Sequence, residues 1–353
     1  MYNLSDATAK GRINTAGCTK LAVFFLICLC FFTACPLNAF GPVSGAFPYV
    51  SNGKLYSFTP DSQYEIGEGY TQSSVAASKK SGYILAWNQK KQRLYHFAGQ
   101  KSASNVELKG SLVYTGTDYI LAQNSSFTDN KGFRFTLYSI KYSLNEKKIK
   151  LSSVWTGFAD CFVSDFFFTD DGICIAGGTK DDKKNNVFYI SKNGIHKCFS
   201  TEKDSDFLSL VHAGDSKVFA FVSTRDKSER VPVIYSFDMN EAPEKAVTIN
   251  LSNDSLLPAD FDCFFGYGFF VTPEPVEGYV VLPASINGII QFICYDIQKK
   301  KISSVVQNAV GCTSALAATE DGVYYLARDP LLDNSWYGIS LFTGTECKKI
   351  KAF

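Results

Sequence analysis

The sequence predicts an all-β chain built from a repeated unit of four short antiparallel strands. Three observations predict it. Aromatic residues make up 15% of the chain, with 30 Phe and 19 Tyr against 2 Met. That bias favours strands, because rings pack well on a pleated surface. Beyond the N-terminal segment, no stretch of useful length keeps a helical period. A short strand with a Tyr near its centre also recurs along the chain.

The recurring strand reads Leu55-Tyr56-Ser57-Phe58, Leu94-Tyr95-His96-Phe97, Leu137-Tyr138-Ser139-Ile140, Phe188-Tyr189-Ile190 and Ile234-Tyr235-Ser236-Phe237. Two degenerate copies follow, Ile293-Cys294-Tyr295 and Trp336-Tyr337-Gly338-Ile339. The spacing from Tyr56 to Tyr337 averages about 47 residues, within the range of sheet-forming repeats. A polar turn and a second strand follow several copies, as at 195–199 and 301–306.

Two further strands precede each such pair. Residues 164–169 (SDFFFT) turn at Asp170-Asp171-Gly172 into 173–177. Residues 315–319 turn at Glu320-Asp321-Gly322 into 323–327, and 74–78 turn near Ser81-Gly82 into 83–87. Asp-Gly between apolar runs marks a hairpin, because such turns need positive φ. Strands a, b, c and d therefore follow one another in each unit. Seven c–d pairs are counted from Lys54 and six a–b pairs from near Ser74, with 47–50 as one more strand for the first unit.

A unit of four antiparallel strands in roughly 40–50 residues resembles a β-propeller blade. The resemblance covers about residues 45–353 and rests on architecture, since no Trp-Asp, Kelch or Asp-box series is present. It implies a ring of seven blades, with six blades plus an N-terminal hairpin as the alternative. Continuous apolar runs such as Phe166-Phe167-Phe168 then fit strands covered on both faces.

The N-terminus reads as an address. Lys10, Arg12 and Lys20 precede a 14-residue apolar run at 21–34 (LAVFFLICLCFFTA), short of the roughly 20 residues that span a bilayer. The run ends in Phe32-Thr33-Ala34-Cys35. This resembles a bacterial lipoprotein lipobox of the relaxed kind found in spirochaetes, with Phe32 in place of the usual Leu. The resemblance implies lipidation of Cys35. Signal cleavage after Ala39 and an uncleaved anchor are the alternatives. The organisation expected is a signal peptide at 1–35, a linker at 36–45 and one propeller domain at 46–353.

Composition narrows the function. Beyond position 34 there are 32 Lys and Arg against 33 Asp and Glu, which argues against nucleic acid as a partner. Seven of the 11 Cys lie in the domain: Cys161, Cys174, Cys198, Cys263, Cys294, Cys312 and Cys347. Most sit in apolar strands and read as buried small hydrophobes.

No catalytic constellation stands out, and neither a cofactor nor a metal is expected. His96, His196 and His212 lie in different units, and alternation with Tyr95 and Phe97 puts His96 towards solvent. Gly266-Tyr267-Gly268 lacks the third Gly of a nucleotide loop, and no G-x-S-x-G elbow occurs. The pairs Asp204/Asp206 and Asp260/Asp262 are the carboxylates available for acid–base work. Trp87, Trp155 and Trp336 read as packing residues.

The b–c connections at 124–132, 178–186, 224–230 and 328–335 are long and polar. In propellers they share one face with the d–a connections, and binding commonly sits on loops held by a rigid scaffold. The expectation is a monomeric lipoprotein of the cell envelope, anchored to a membrane through Cys35. It is expected to bind an envelope protein or glycan on the b–c face, without catalysis. The alternative is an exported propeller hydrolase acting on glycans or peptides through funnel carboxylates.

Overall fold

The computed structural model describes residues 47–353. The segments 59–62, 78–83, 99–100, 129–130, 144–147, 180–183, 202–204, 227–228, 265–268, 272–278, 307–311, 320–321, 329–335 and 343–346 and residue 353 fall outside the description. The expected signal segment and Cys35 lie outside the described residues.

The described strands form seven antiparallel sheets in chain order. The first has three strands, β1 (Phe47–Ser51), β2 (Lys54–Phe58) and β3 (Gln63–Glu68). The second comprises β4 (Val75–Ala77), β5 (Ile84–Asn88), β6 (Arg93–Ala98) and β7 (Lys101–Glu107). The third comprises β8 (Leu112–Thr115), β9 (Tyr119–Thr128), β10 (Gly132–Ser143) and β11 (Lys148–Ala159). The fourth comprises β12 (Phe162–Phe168), β13 (Gly172–Gly178), β14 (Asn185–Ser191) and β15 (Gly194–Ser200).

The fifth sheet comprises β16 (Ser205–His212), β17 (Lys217–Asp226), β18 (Glu229–Asp238) and β19 (Val247–Asn250). The sixth comprises β20 (Phe261–Phe264), β21 (Phe269–Val271), β22 (Tyr279–Ile286), β23 (Ile289–Asp296) and β24 (Lys301–Val306), with β20 and β21 both paired to β22. The seventh comprises β25 (Cys312–Thr319), β26 (Gly322–Arg328), β27 (Trp336–Phe342) and β28 (Cys347–Ala352). This is the blade pattern of a β-propeller. Consecutive sheets pack together, and β1 lies beside both β4 and β25, so the series closes on itself.

The packing explains the continuous apolar runs. Successive side chains of a strand point to opposite faces. In β13, Ile173 and Ile175 join Tyr114, Leu121 and Phe135 of the third sheet. Cys174 and Ala176 join Leu210, Val218 and Ala220 of the fifth. Strand β5 divides likewise: Ile84 and Ala86 pack with Leu55, and Leu85 and Trp87 pack with Val113 and Ile120. A large apolar side chain buried this way contributes about 1.5–3 kcal/mol.

Among the described residues, no strand pairs with the inner side of β1 in the first sheet. The turn Asn52-Gly53 has φ of 51° and 74°, the left-handed pair of a two-residue hairpin. Ser51 pairs with Lys54, so the N–H groups of residues 48 and 50 point away from β2. Residue 48 is Pro and has no N–H. The Val50 N–H donates to Gln72 Oε1 at 2.6 Å, and Gln72 is buried.

Candidate functional site

The hairpin direction sorts the connections onto two faces. The b–c turn Asn52-Gly53 accepts the Gly69 N–H at 2.9 Å, and Gly69 in turn accepts the Gln89 N–H at 3.1 Å. Gly69 belongs to the d–a connection from the first sheet to the second, and Gln89 to the next b–c turn. The b–c and d–a connections thus share a face, and the a–b and c–d turns lie at the other ends of the strands.

Three expected b–c loops are shorter than their sequence suggests. Strands β9 and β10 run through most of 124–132, with Phe133 paired to Phe127 and Gly132 to Thr128. Strands β17 and β18 pair as far as Arg225 with Arg230 and Asp226 with Glu229. Strands β13 and β14 pair Gly178 with Asn185. Polar residues at these strand ends read as loop although the ladder continues through them. The connection 329–335 lies outside the described residues.

Strands β10 and β11 have 12 residues each, and β12 follows from β11 through Asp160 and Cys161. This edge between the third and fourth sheets, on the b–c face, is the candidate site. Phe162 is 47% exposed and meets Phe133 edge-on, with ring centroids 5.0 Å apart. Phe158 is 39% exposed, and Lys131 Nζ sits 5.8 Å from its ring centroid. Gly132 lets the chain turn here. Its φ is 82°, and a Cβ would lie 2.1 Å from the Ala159 carbonyl oxygen.

Polar groups flank the aromatics. Asn186 is buried, accepts from Ser200 Oγ at 2.9 Å and donates to the Asp160 carbonyl at 3.5 Å. Thr201 is buried and accepts the Asn185 N–H at 2.9 Å. One carboxylate oxygen of Asp160 is buried without a hydrogen-bond partner. Exposed aromatic surface with a cation beside it, on a junction fixed by buried polar bonds, suits the recognition of a partner with apolar faces.

The other sequence candidates have structural places. Asp262 Oδ2 accepts from Ser285 Oγ at 2.8 Å and the Gly288 N–H at 2.9 Å, so it holds the turn after β22. The Asp260 carbonyl accepts the Asn287 N–H at 2.8 Å. Asp204 and the side chain of Asp206 lie outside the described residues. Thr169 Oγ1 accepts the Gly172 N–H at 3.1 Å, making Asp170-Asp171-Gly172 a hairpin turn. Among the described residues, no three His, Cys, Asp or Glu side chains group to hold a metal.

His96 departs from the sequence reading. It is buried, not turned to solvent, and its ring lies 5.5 Å from that of Tyr142 in the third sheet. Burial pulls its pKa below the usual 6.5. His212 stacks on Phe167 at 5.0 Å, and His196 Nε2 lies 3.0 Å from the Glu241 carbonyl. Trp87 is buried and donates from Nε1 to the Leu108 carbonyl at 2.8 Å, and Trp155 lies partly buried over Gly157. The side chain of Trp336 is outside the description.

Cys161, Cys174 and Cys198 are buried thiols, and Cys263 and Cys294 are buried as well; the side chains of Cys312 and Cys347 lie outside the described residues. Burial pushes the pKa of Cys161 and Cys174 well up. Sequence reasoning missed Asp165, which is almost wholly buried. A single Asp in the apolar run Phe162–Phe168 was the available signal, and the structure adds a β-bulge between Val163 and Asp165.

The chain is similar in fold to solved structures. The hydrazine synthase of Kuenenia stuttgartiensis aligns over 84% of this chain and 92% of that chain, with a TM-score of 0.53 and 9% identity. A Dos1 propeller aligns over 84% and 93%, with a TM-score of 0.47 and 10% identity. The Nup133 β-propeller domain of Vanderwaltozyma polyspora aligns over 83% and 91%, with a TM-score of 0.40 and 9% identity. At these identities only the fold is shared. No family model and no curated protein matches the chain.

Proposed function

We propose that this protein is a lipid-anchored propeller of the cell envelope. It binds an envelope protein or glycan at the edge between the third and fourth sheets. The observation that carries the binding reading is Phe162, which holds nearly half its surface in solvent and is, with Phe158, one of two exposed Phe, Tyr or Trp side chains among the described residues. Phe158 and Lys131 extend that surface, and the buried Asn186, bonded to Ser200 and to the Asp160 carbonyl, fixes the junction beneath it. The export reading is supported by the basic segment, the apolar run and the Phe32-Thr33-Ala34-Cys35 sequence. Envelope material passed over immobilised protein tests the binding reading. A species retained by the native chain and lost from Phe158→Ala/Phe162→Ala, at unchanged thermal stability, supports it. Equal retention by both chains removes this edge as the binding surface. Mass analysis of the mature N-terminus tests acylation of Cys35.

A further inference from the structure

Resting on the Cys35 anchor proposed above, we infer that the propeller sits with its a–b and c–d turns towards the bilayer. The b–c face, with Phe158 and Phe162, then points away from it. The inference comes from where the polypeptide enters the fold. Strand β1 runs from Phe47 to the turn Asn52-Gly53, which lies on the b–c face beside Gly69. Phe47 is therefore at the opposite end of the strand, level with the a–b and c–d turns.

Nothing on the described inner edge of β1 invites a reversal of that entry. Pro48 has no donor there, and the Val50 donor is taken by Gln72. A sheet edge finished by a proline and a side-chain cap offers no backbone donors to a further strand.

The length of chain before Phe47 sets the reach. Cys35 is followed by the 11 residues 36–46. A peptide of that length spans at most about 40 Å when fully extended. Climbing the side of strands seven or eight residues long uses roughly 25 Å of it. An acyl group on Cys35 therefore meets a bilayer at the entry face without extending the linker, whereas meeting one at the b–c face takes more than half of the linker's full extension. The occupant of that face is a lipid surface, held by the tether and not by charge, because its turns mix Lys192, Lys245 and Lys299 with Asp171, Asp215 and Glu241.

The test uses the full chain, processed in a lipoprotein-producing host and mixed with phospholipid vesicles carrying a headgroup acceptor dye. Azidophenylalanine replaces exposed Lys90 in a b–c turn or exposed Lys192 in a c–d turn and is coupled to one donor dye. Transfer at least twofold more efficient from position 192 than from position 90 is expected. Equal transfer, or stronger transfer from position 90, overturns the orientation. Flotation is read separately on the unlabelled protein. Flotation that Cys35→Ala abolishes supports the anchor. A native chain that stays unbound overturns the anchor, and the orientation with it.

Discussion

Asp165 Oδ2 accepts the Leu210 N–H at 2.7 Å, joining the first strand of the fourth sheet to that of the fifth. Its Oδ1 accepts the Phe166 N–H at 2.8 Å. Other joins of this kind are Ser223 Oγ with the Phe264 N–H at 3.1 Å and Asn88 Nδ2 with the Glu68 carbonyl at 2.7 Å. Between sheets that otherwise meet through apolar side chains, these bonds fix relative position as well as adding stability. Apolar packing is non-directional, and a hydrogen bond to a buried N–H is not.

Replacing Asp165 by Ala strands the buried Leu210 donor. An unsatisfied buried donor costs about 1–3 kcal/mol. Asp165→Ala is therefore expected to unfold at distinctly lower denaturant, with Asp165→Asn between it and the native chain. A midpoint for the Ala variant equal to that of the native chain denies the carboxylate this role.

Gln72→Leu removes the acceptor for the Val50 N–H and leaves the inner edge of β1 uncapped. A loss of roughly 1–3 kcal/mol is expected on the same grounds. Hydrogen exchange of the Val50 amide gives a local readout: it should speed up in the variant by more than amides of the fourth sheet do.

The pKa of His96 is lowered by burial, so the folded state favours the neutral ring. The unfolded chain then binds more protons between the folded value and about 6.5. Stability from this group is fully present above about pH 6.5 and falls as the pH drops below it. His96→Phe should show a shallower loss of stability on acidification from pH 7 to pH 5 than the native chain. Identical slopes in urea titrations would assign the acid sensitivity elsewhere.

Thiolate is the reactive form of cysteine, and burial disfavours it. Cys161 and Cys174 should stay unmodified by iodoacetamide at neutral pH in the native protein and react fully in guanidinium. Peptide mapping that found either alkylated under native conditions would reveal local opening of the fourth sheet.

The repeat was legible because its marker recurs on the same strand of each sheet. Tyr56, Tyr95, Tyr138, Tyr189, Tyr235, Tyr295 and Tyr337 fall on β2, β6, β10, β14, β18, β23 and β27, the c strands of the seven sheets. The turn at Asp170-Asp171-Gly172 was legible too, and it is closed by the Gly172 N–H on Thr169 Oγ1. His96 was misread because alternation says which residues share a face, not whether that face is covered. In a ring of sheets the next sheet covers the facing side of a c strand, and here Tyr142 of the third sheet lies against His96. The long polar stretches were misread for the converse reason. At 225–230 the ladder between β17 and β18 continues through charged residues. The candidate edge was hidden because Phe133, Phe158 and Phe162 are brought together by a turn and a sheet junction, which no spacing in the chain records.

Each described sheet is drawn from one unbroken stretch of polypeptide, and among the described residues no strand is exchanged between the first sheet and the seventh. Strand pairing among the described residues is therefore of short sequence separation, and the seam between β1 and β25 joins the two ends of the described chain. Low contact order favours rapid formation, and domains that emerge from the ribosome begin to fold from the N-terminal side. The sheets can accrete one after another during synthesis, leaving side-chain packing at a single seam as the last event. The same independence makes a whole blade a unit that gene duplication can add or deletion can remove without breaking a strand ladder.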